Sequence, residues 1–389
     1  ENKVNENFIQ YIDSKDIELV STALKGKLIT TGKFVESFEN KITKLLKCKY
    51  AISCSSGTAA IHLALLSIGI KKNDVVIMPA INFVAAYSMC LQMGAKIYLA
   101  DVDKLSGQIT PKTLLECIGK NNLKAIKSVI TMYMGGYPEN IIEFFKIKKK
   151  YNFFLIEDAC HAFGSKYKFK NKSAHVGSCK HSDISTFSLH PVKTFTTGEG
   201  GLVTTNSKLL NSRIKLFRSH GIERNKKSHW QYDIKKFGFN YRLSDINCAL
   251  GISQLKKINR FIKSRKIIYN FYKKEFQKFS DTIKIINFSK SCNPSYHLML
   301  VSIDFTNTKK TKQKLLKFLQ RNNVLAQYHY IPIFKLSAYP RKNDYFESAM
   351  HYYKSTISLP IYYNLEKKNI KKIASLIINF LEVKKNSNL

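Results

Sequence analysis

Short apolar runs rich in β-branched residues alternate with longer amphipathic stretches through about the first two thirds of the chain. Runs of this length are typical of strands, and the stretches at residues 58–70 and 140–151 are long enough for helices that cross between strands. The alternation predicts an α/β fold with a mostly parallel central sheet covered on both faces. The predicted strands lie at residues 50–56, 75–81, 96–103, 125–134, 153–160, 183–190 and 200–206.

The pattern changes near residue 255, where a long, basic helical stretch over residues 247–274 leads into a second region. We therefore expect a large α/β domain over residues 1–255, including an N-terminal helical segment, and a smaller C-terminal α+β domain over residues 256–389. No run of proline and glycine marks the boundary. The second region is predicted to hold two strands and two helices, at residues 297–305, 356–361, 309–321 and 366–383.

The chain is strongly basic, with 64 lysine and arginine residues, 27 acidic residues and a formal net charge of +37. One alternative is therefore a non-catalytic nucleic-acid-binding or regulatory protein. That alternative needs basic residues gathered on one arm or face, whereas here they are spread along the whole chain. A lysine-coated surface that binds no nucleic acid is favoured, and such a surface still attracts anionic substrates.

Cysteine usage points to a reducing compartment, and the distribution of apolar residues predicts no membrane helix. Eight cysteines without a C-x-x-C pair predict free thiols rather than a metal site or a disulfide framework. No segment approaches the roughly 18 consecutive apolar residues of a membrane helix. The first residues are polar and lack the apolar core of a signal peptide. We expect a cytoplasmic protein without membrane association or bound metal.

Chemistry is expected at the carboxyl ends of the predicted strands, where open α/β sheets bind their ligands. The first such end is SCSSGTAA, which includes Gly57 and Thr58 and runs from a strand into a helix. Backbone N–H groups at a helix N-terminus are unpaired, and the helix dipole favours an anion there. The alternative is ordinary N-cap and turn chemistry, which uses the same residue types.

A second strand ends in FFLIEDACHAFG, which places Glu157 and Asp158 at the exit of an apolar run and His161 three residues later. A carboxylate at the end of a buried strand is costly unless a cation meets it. A protonated pyridine nitrogen is a cation of that kind. The alternative is an aspartate that caps the following helix.

The most informative segment is DISTFSLHPVKTFTTGEGGLVTT, which begins in another predicted strand. Lys193 lies five residues after Ser188, and the proline and glycines around it predict a tightly turned backbone rather than a helix. A lysine amine held in such a turn can have its pKa lowered and act as a nucleophile. Most lysines of so basic a chain are solvated, and its setting distinguishes Lys193 from them.

An aromatic residue, Phe83, follows the predicted strand in VVIMPAINFVAA. At this place its ring can lie against a flat heteroaromatic group. The alternative is an ordinary core position, which is where most phenylalanines are found.

Together these segments resemble the DegT/DnrJ/StrS family of pyridoxal-phosphate sugar aminotransferases. The resemblance extends from about residue 31 to residue 363 and rests on TTGKFVESFE, SSGTAA, IEDACHAFGS, FSLHPVKTFTTGEGG, FRSHGI, GFNYRLSDINCALG and QYHYIPI. It implies the fold-type I architecture of aspartate aminotransferase, with pyridoxal 5'-phosphate as the cofactor.

The resemblance also implies a role for each matching residue. Lys193 looks like the lysine that bonds covalently to the cofactor and shuttles a proton, and Asp158 like the partner of the pyridinium nitrogen. His161 resembles a neighbour of the ring or its phenolic oxygen, and Phe83 the aromatic residue that stacks on the ring. The phosphate ligands implied are Gly57, Thr58, Ser188 and, from a neighbouring subunit, Asn240. That last ligand implies a homodimer with shared active sites.

For the substrates, the resemblance implies L-glutamate as the amino donor and a keto-sugar nucleotide as the acceptor. The segments FSLHPVKTFTTGEGG, FRSHGI and LAQYHYIPIF are most similar to members that aminate C4 of a UDP-linked 4-keto-6-deoxy-N-acetylhexosamine in pseudaminic acid synthesis. His329 and Tyr330 resemble residues of the sugar site. Two positions depart from the family pattern: Leu189, where phenylalanine is usual, and Cys160, where alanine or serine is usual.

The family leaves two alternatives, and the sequence argues against only one of them. Some members are dehydratases with a histidine in place of the lysine, and Lys193 therefore favours amine transfer. Sister aminotransferases act on other keto-sugar nucleotides, such as precursors of bacillosamine or legionaminic acid or dTDP-linked sugars. Composition does not separate these, because a few loop side chains read sugar stereochemistry.

Overall fold

The computed structural model describes residues 10–224, 228, 230–306, 310–341 and 343–382. In chain order, its strands are β1 (Tyr50–Cys54), β2 (Val75–Pro79), β3 (Lys96–Ala100), β4 (Ser128–Met132), β5 (Phe154–Asp158), β6 (Lys166–Phe169), β7 (Lys172–His175), β8 (Ile184–Ser188), β9 (Gly201–Thr205), β10 (Ile222–Arg224), β11 (Tyr232–Ile234), β12 (Ile283–Ile285), β13 (Cys292–Asn293), β14 (Met299–Ile303) and β15 (Thr356–Leu359).

The α-helices begin with two near the N-terminus and continue between and after the strands. They are α1 (Ser14–Leu24), α2 (Lys33–Leu46), α3 (Gly57–Ser67), α4 (Val84–Gln92), α5 (Pro111–Lys120), α6 (Ile141–Tyr151), α7 (Lys208–Arg218), α8 (Asp245–Leu255), α9 (Ile258–Phe276), α10 (Lys312–Arg321), α11 (Glu347–Ser355) and α12 (Lys367–Leu381).

The central sheet has seven strands in the order β1-β9-β8-β5-β4-β2-β3. All seven strands predicted for the first region belong to it, and each is shorter than its apolar run. Neighbouring strands from β8 to β3 are parallel, whereas β9 is antiparallel to both β8 and β1. The predicted α/β class with a mostly parallel sheet is therefore confirmed.

Apolar side chains cover both faces of this sheet. In β4, Ile130 belongs to the apolar core shared with α3, α4 and α7, while its neighbour Val129 belongs to the core shared with α5 and α6 on the other face. In β5, Ile156 and Leu155 divide in the same way. Successive strand residues point to opposite faces, so a sheet covered on both sides needs continuous apolar runs rather than alternating ones.

The C-terminal region is built on a second, antiparallel sheet with the strand order β12-β14-β15. The helices α9, α10 and α12 share one apolar core with it. The helical stretch predicted over residues 247–274 is two helices, which separate at Lys256 and Lys257. The first, α8, packs on α1 and α2, and the second packs on α12. The division into two domains at residue 255 stays a prediction.

Two small sheets were not predicted: the β10–β11 hairpin and a three-stranded sheet of β6, β7 and β13. The eight cysteines all lie in the described part of the chain as free thiols, and all but Cys160 are buried. None of the described helices combines the length and apolar character needed to cross a bilayer.

Gly201, the first residue of β9, packs closely against the turn between β1 and α3. The space between the two backbones is too small for a side chain at this position. A Cβ at this position would lie 2.0 Å from the Ser56 carbonyl oxygen and 2.9 Å from Cys54 Sγ. We expect Gly201→Ala to lower the free energy of unfolding by about 3 kcal/mol, because the backbones must separate. Gly119→Ala is the control, since a Cβ there meets nothing within 4 Å. Equal denaturant midpoints for the two variants would contradict the expectation.

Candidate active site

Three strand ends meet at one edge of the central sheet. Gly201 pairs with Cys54 at the end of β1 and with Ser188 at the end of β8, so these two ends are level. The parallel strand β5 lies next to β8 and ends at Asp158, which pairs with Thr186. Segments distant in sequence thus place their polar residues together, as expected for an α/β sheet.

The first of these ends leads directly into the N-terminus of α3. Ser56 is the N-cap, and its hydroxyl oxygen accepts a hydrogen bond from the Ala59 N–H at 3.1 Å. A Cβ at Gly57 would lie 2.8 Å from Ser188 Cβ, so glycine allows the helix start to approach Ser188 closely. Thr58 is exposed in the first turn. The structure therefore places Gly57, Thr58 and Ser188 around a helix N-terminus of the kind that binds phosphate.

Asp158 is a buried carboxylate at the end of β5, with 2% of its surface exposed. Its Oδ1 accepts a hydrogen bond from the Cys160 N–H at 3.1 Å. Burial raises the pKa of Asp158, while hydrogen bonds from Cys160 and the charge of Lys193 lower it. No salt bridge to Asp158 forms among the described residues. The carboxylate can therefore accept a cationic partner.

Glu157 precedes Asp158, but its carboxylate is hydrogen-bonded within the sheet rather than placed near Lys193. It is buried on the opposite face of the strand, where Tyr133 donates a hydrogen bond to Oε1 at 2.8 Å and Ser185 donates one to Oε2. Its oxygens are thus engaged by hydroxyl groups of the same sheet. Of the two carboxylates in the predicted motif, Asp158 is the one near Lys193.

Lys193 lies in a turned segment after β8, as its proline and glycines predict. The Thr197 N–H donates to the Leu189 carbonyl at 3.1 Å, and Asn247 Nδ2 donates to the Thr197 carbonyl at 2.7 Å. The lysine itself is partly buried. Burial lowers the pKa of its amine, and the nearby Cys160 and Asp158 raise it. The amine and the carboxylate therefore occupy the same small region.

His161 lies in a hydrogen-bonded chain that determines which ring nitrogen carries the proton. The Gly135 N–H donates to Nδ1 at 3.3 Å, and Nε2 lies 2.9 Å from the Tyr330 hydroxyl oxygen. Nδ1 is thus an acceptor, and the neutral ring donates its Nε2 proton to Tyr330. Burial, followed by the charge of Lys193, holds the pKa of His161 well below its usual value. The imidazole is therefore neutral near pH 7.

Two further histidines, His297 and His329, lie next to the hydrogen-bonded residues Gly135, His161 and Tyr330. His329 Nδ1 lies 2.8 Å from Ser358 Oγ, and its carbonyl accepts a hydrogen bond from Tyr352 at 2.9 Å. The buried His297 places its ring centroid 4.4 Å from that of His161. His297 is not among the residues predicted from the sequence, because it stands at the start of an apolar predicted strand. Its position as the one polar side chain between Tyr296 and that apolar run is the signal that was available.

Phe83 is half exposed, with 50% of its surface accessible, so the alternative of a core position is wrong. It precedes α4 as its N-cap residue, and its ring centroid lies 5.5 Å from that of Tyr330. Since Tyr330 contacts His161, Phe83 belongs to the same side of the molecule. Its predicted stacking role stays a prediction.

Asn240 is exposed, and its backbone pairs with Ser219. The next residue, Tyr241, accepts a hydrogen bond from the Ser55 N–H at 2.9 Å, close to the start of α3. The predicted role of Asn240, as a phosphate ligand for a neighbouring subunit, stays a prediction.

Comparison with known proteins finds similar chains of known family. Residues 10–378 match the model of the DegT/DnrJ/EryC1/StrS aminotransferase family. The chain is 39% identical over 377 residues, 96% of each chain, to the UDP-4-amino-4,6-dideoxy-N-acetyl-beta-L-altrosamine transaminase of Campylobacter jejuni subsp. jejuni serotype O:23/36 (strain 81-176). It is 31% identical over 370 residues, 95% of this chain and 96% of the other, to the GDP-perosamine synthase of Escherichia coli O157:H7.

A solved structure is similar over nearly the whole chain. It is Helicobacter pylori PseC, an aminotransferase involved in the biosynthesis of pseudoaminic acid, with a TM-score of 0.88 and 29% identity. The similarity covers 97% of this chain and 99% of that one. These findings confirm both the family resemblance and the aminotransferase architecture predicted from the sequence. The chain belongs to the DegT/DnrJ/EryC1/StrS aminotransferase family.

Proposed function

We propose that this protein transfers an amino group from L-glutamate to C4 of a UDP-linked 4-keto-6-deoxy-N-acetylhexosamine, with pyridoxal 5'-phosphate as cofactor. The observation that carries this proposal is the meeting of Lys193, Asp158 and the N-terminus of α3 at one edge of the sheet. The Campylobacter jejuni relative supports the acceptor, because its name gives the amino sugar that such a reaction forms. The proposed product is a precursor for pseudaminic acid.

The residues present suit pyridoxal 5'-phosphate in four ways. Asp158 is a buried carboxylate that can pair with a protonated ring nitrogen. The helix start at Gly57, which lies against Ser188, offers N–H groups and a hydroxyl to the phosphate. Lys193 supplies an amine whose pKa is lowered by burial, which favours its nucleophilic form. Phe83 is half exposed and is free to cover a flat ring.

When bound, the cofactor supplies an electron sink for the pair released as the proton leaves the α-carbon of the donor amino acid. Lys193 moves that proton, because its free amine is the basic group beside Asp158. Asp158 holds the proton on the ring nitrogen by charge and hydrogen bonding. His161, neutral and fixed by Gly135, orients the Tyr330 hydroxyl through its Nε2 proton.

The sugar and the assembly are further parts of the proposal. His329 and Tyr330 lie beside His161, on the side where Phe83 is exposed, and we assign them to the sugar site. Asn240 completes the phosphate site of a neighbouring subunit in a homodimer. We further propose that the protein acts in the cytoplasm and binds neither nucleic acid nor membranes.

The acceptor is tested by offering one enzyme several keto sugars. Protein loaded with pyridoxal 5'-phosphate is incubated with glutamate and UDP-, GDP- or dTDP-linked 4-keto-6-deoxy sugars, and the aminated products are identified by mass spectrometry and NMR. We expect the UDP-linked N-acetylhexosamine to give the highest kcat/KM, by about a hundredfold or more. A preference for the GDP-linked sugar would instead place the chain with GDP-perosamine synthase.

The cofactor has its own readout. The loaded protein is expected to be yellow, and glutamate alone is expected to bleach that colour as the amino form accumulates. A colourless protein that binds DNA tightly at physiological salt would instead support the nucleic-acid-binding alternative.

A further inference from the structure

We propose that a groove between the C-terminal sheet and the loop after β3 binds a phosphorylated nucleoside, separately from the candidate active site. The groove has a volume of about 740 Å³ and is bordered by Lys104 of that loop, Lys284 of β12 and the start of α10. This volume is within the range of small-molecule sites. The inference does not depend on the proposed reaction.

The charge of the groove favours an anion. Among its described lining residues, Asp304 is the one carboxylate, against five lysines, of which Lys310 forms a salt bridge with Glu382 at 3.1 Å. Thr306 engages that carboxylate twice, through its N–H at 2.9 Å and its hydroxyl at 2.6 Å. Lys104, Lys284 and Lys354 are exposed around the groove and can reach a phosphate in it.

Lys312 adds a positive charge that no carboxylate balances among the described residues. Only 8% of it is exposed, and its ammonium donates to the carbonyl oxygens of Tyr353 and, at 3.5 Å, Thr356. Neither carbonyl carries a full negative charge, so the groove retains a net positive potential. Burial lowers the pKa of Lys312 to about 8, because removing an ammonium from water disfavours its charged form. An anion in the groove would stabilise that form.

An aromatic wall beside these lysines suits a base. Tyr328 is 39% exposed and meets Tyr353 edge to face, with ring centroids 5.7 Å apart at an interplanar angle of 89°. Phe305 also lines the groove. A partly exposed tyrosine ring beside lysines can stack a nucleobase while the lysines bind its phosphates. Inorganic phosphate alone would use only the lysines.

The groove and the candidate active site lie on different sides of one segment. Tyr330 contacts His161 and Phe83, whereas Tyr328 contacts Tyr353 and Lys312. His329 lies between them and accepts a hydrogen bond from Tyr352, the neighbour of Tyr353. A ligand can therefore occupy the groove without filling the site at Lys193.

The experiment compares a groove variant with a charge-matched control. The cofactor-loaded protein is titrated with ADP, GDP, CDP, UDP and pyrophosphate by calorimetry. The groove variant carries Lys284→Ala and Lys354→Ala. The control carries Lys263→Ala and Lys371→Ala, which remove two exposed lysines from α9 and α12, outside the groove. Both double variants lower the net charge equally.

We expect at least one nucleoside diphosphate to bind more tightly than pyrophosphate. The groove variant should weaken that binding at least tenfold, and the control should leave it within twofold. Tyr328→Leu should lower the affinity to that of pyrophosphate. Absence of binding by all four nucleotides would overturn the proposal, as would equal affinities of the groove variant and the control. Equal affinity for pyrophosphate and every nucleotide would also overturn it, because it leaves no role for the aromatic wall.

Discussion

Replacement of Lys193 by alanine is expected to lower kcat/KM for amine transfer by a factor of about ten thousand or more. The amine has two roles in the proposed reaction, binding the cofactor and moving the proton at the α-carbon. Its position beside Asp158, in a turn fixed by hydrogen bonds of Thr197 and Asn247, leaves no neighbouring lysine on the same turn to replace it. The measurement is the rate at which glutamate converts the loaded enzyme to its amino form.

The fold is expected to survive this substitution. Lys193 makes no salt bridge among the described residues, and the bond from its backbone N–H to the His190 carbonyl, at 2.9 Å, does not use the side chain. Thermal unfolding should therefore differ little from that of the parent protein. Lys193→Arg is the matched variant, because it keeps a positive charge but lacks a primary amine. Retained turnover in either variant, or trapping of the cofactor by borohydride reduction on another lysine, would refute the assignment.

The strands of the central sheet were predictable because burial on both faces produces continuous apolar runs in the sequence. Residues such as Val129 and Ile130 must both be apolar when helices cover each side. Short surface strands produce no such runs. The β6–β7 hairpin alternates lysine with other residues around Asn171, so its sequence resembles an ordinary basic loop.

Short sequence motifs predicted the site residues that lie at or just after the ends of strands. Asp158 ends a strand, Gly57 and Lys193 lie within five residues after one, and the sheet topology brings these strand ends together. The contact between His161 and Tyr330 joins residues 169 positions apart, and nothing near either residue indicates the other. Only the family resemblance pointed to Tyr330, and the one local signal for His297 is its place directly ahead of an apolar run.

The break between α8 and α9 illustrates a different limit. Lys256 and Lys257 are good helix formers, so the sequence predicts one continuous helix. In the structure α8 ends at Leu255, and Lys257, between the two helices, holds its ammonium 2.6 Å from Asp16 and 2.8 Å from Asp13 of the N-terminal segment. The local preference therefore does not decide the structure here.

Asp158→Asn is expected to lower kcat about a hundredfold to a thousandfold while the protein stays folded. The amide has the same shape and keeps an acceptor for the Cys160 N–H, which lies 3.1 Å from Oδ1. It has no charge, however, and each unit by which the pKa of the ring nitrogen falls corresponds to 1.36 kcal/mol of lost interaction. Since burial already raises the pKa of Asp158, its neutral replacement should not destabilise the fold. The measurements are kcat with glutamate and the pH titration of the cofactor absorbance.

Glu157→Gln is the control that separates charge at the ring from burial in the sheet. Glu157 is as buried as Asp158, but its oxygens accept hydrogen bonds from Tyr133 and Ser185 on the other face of β5. An amide keeps one acceptor and introduces donors where two hydroxyl groups already donate, so we expect a loss of about 1–3 kcal/mol in stability. The folded fraction should keep its kcat and its absorbance titration. If Asp158→Asn kept kcat within tenfold, or if Glu157→Gln shifted the cofactor titration equally, Asp158 would not be the residue that holds the proton on the ring nitrogen.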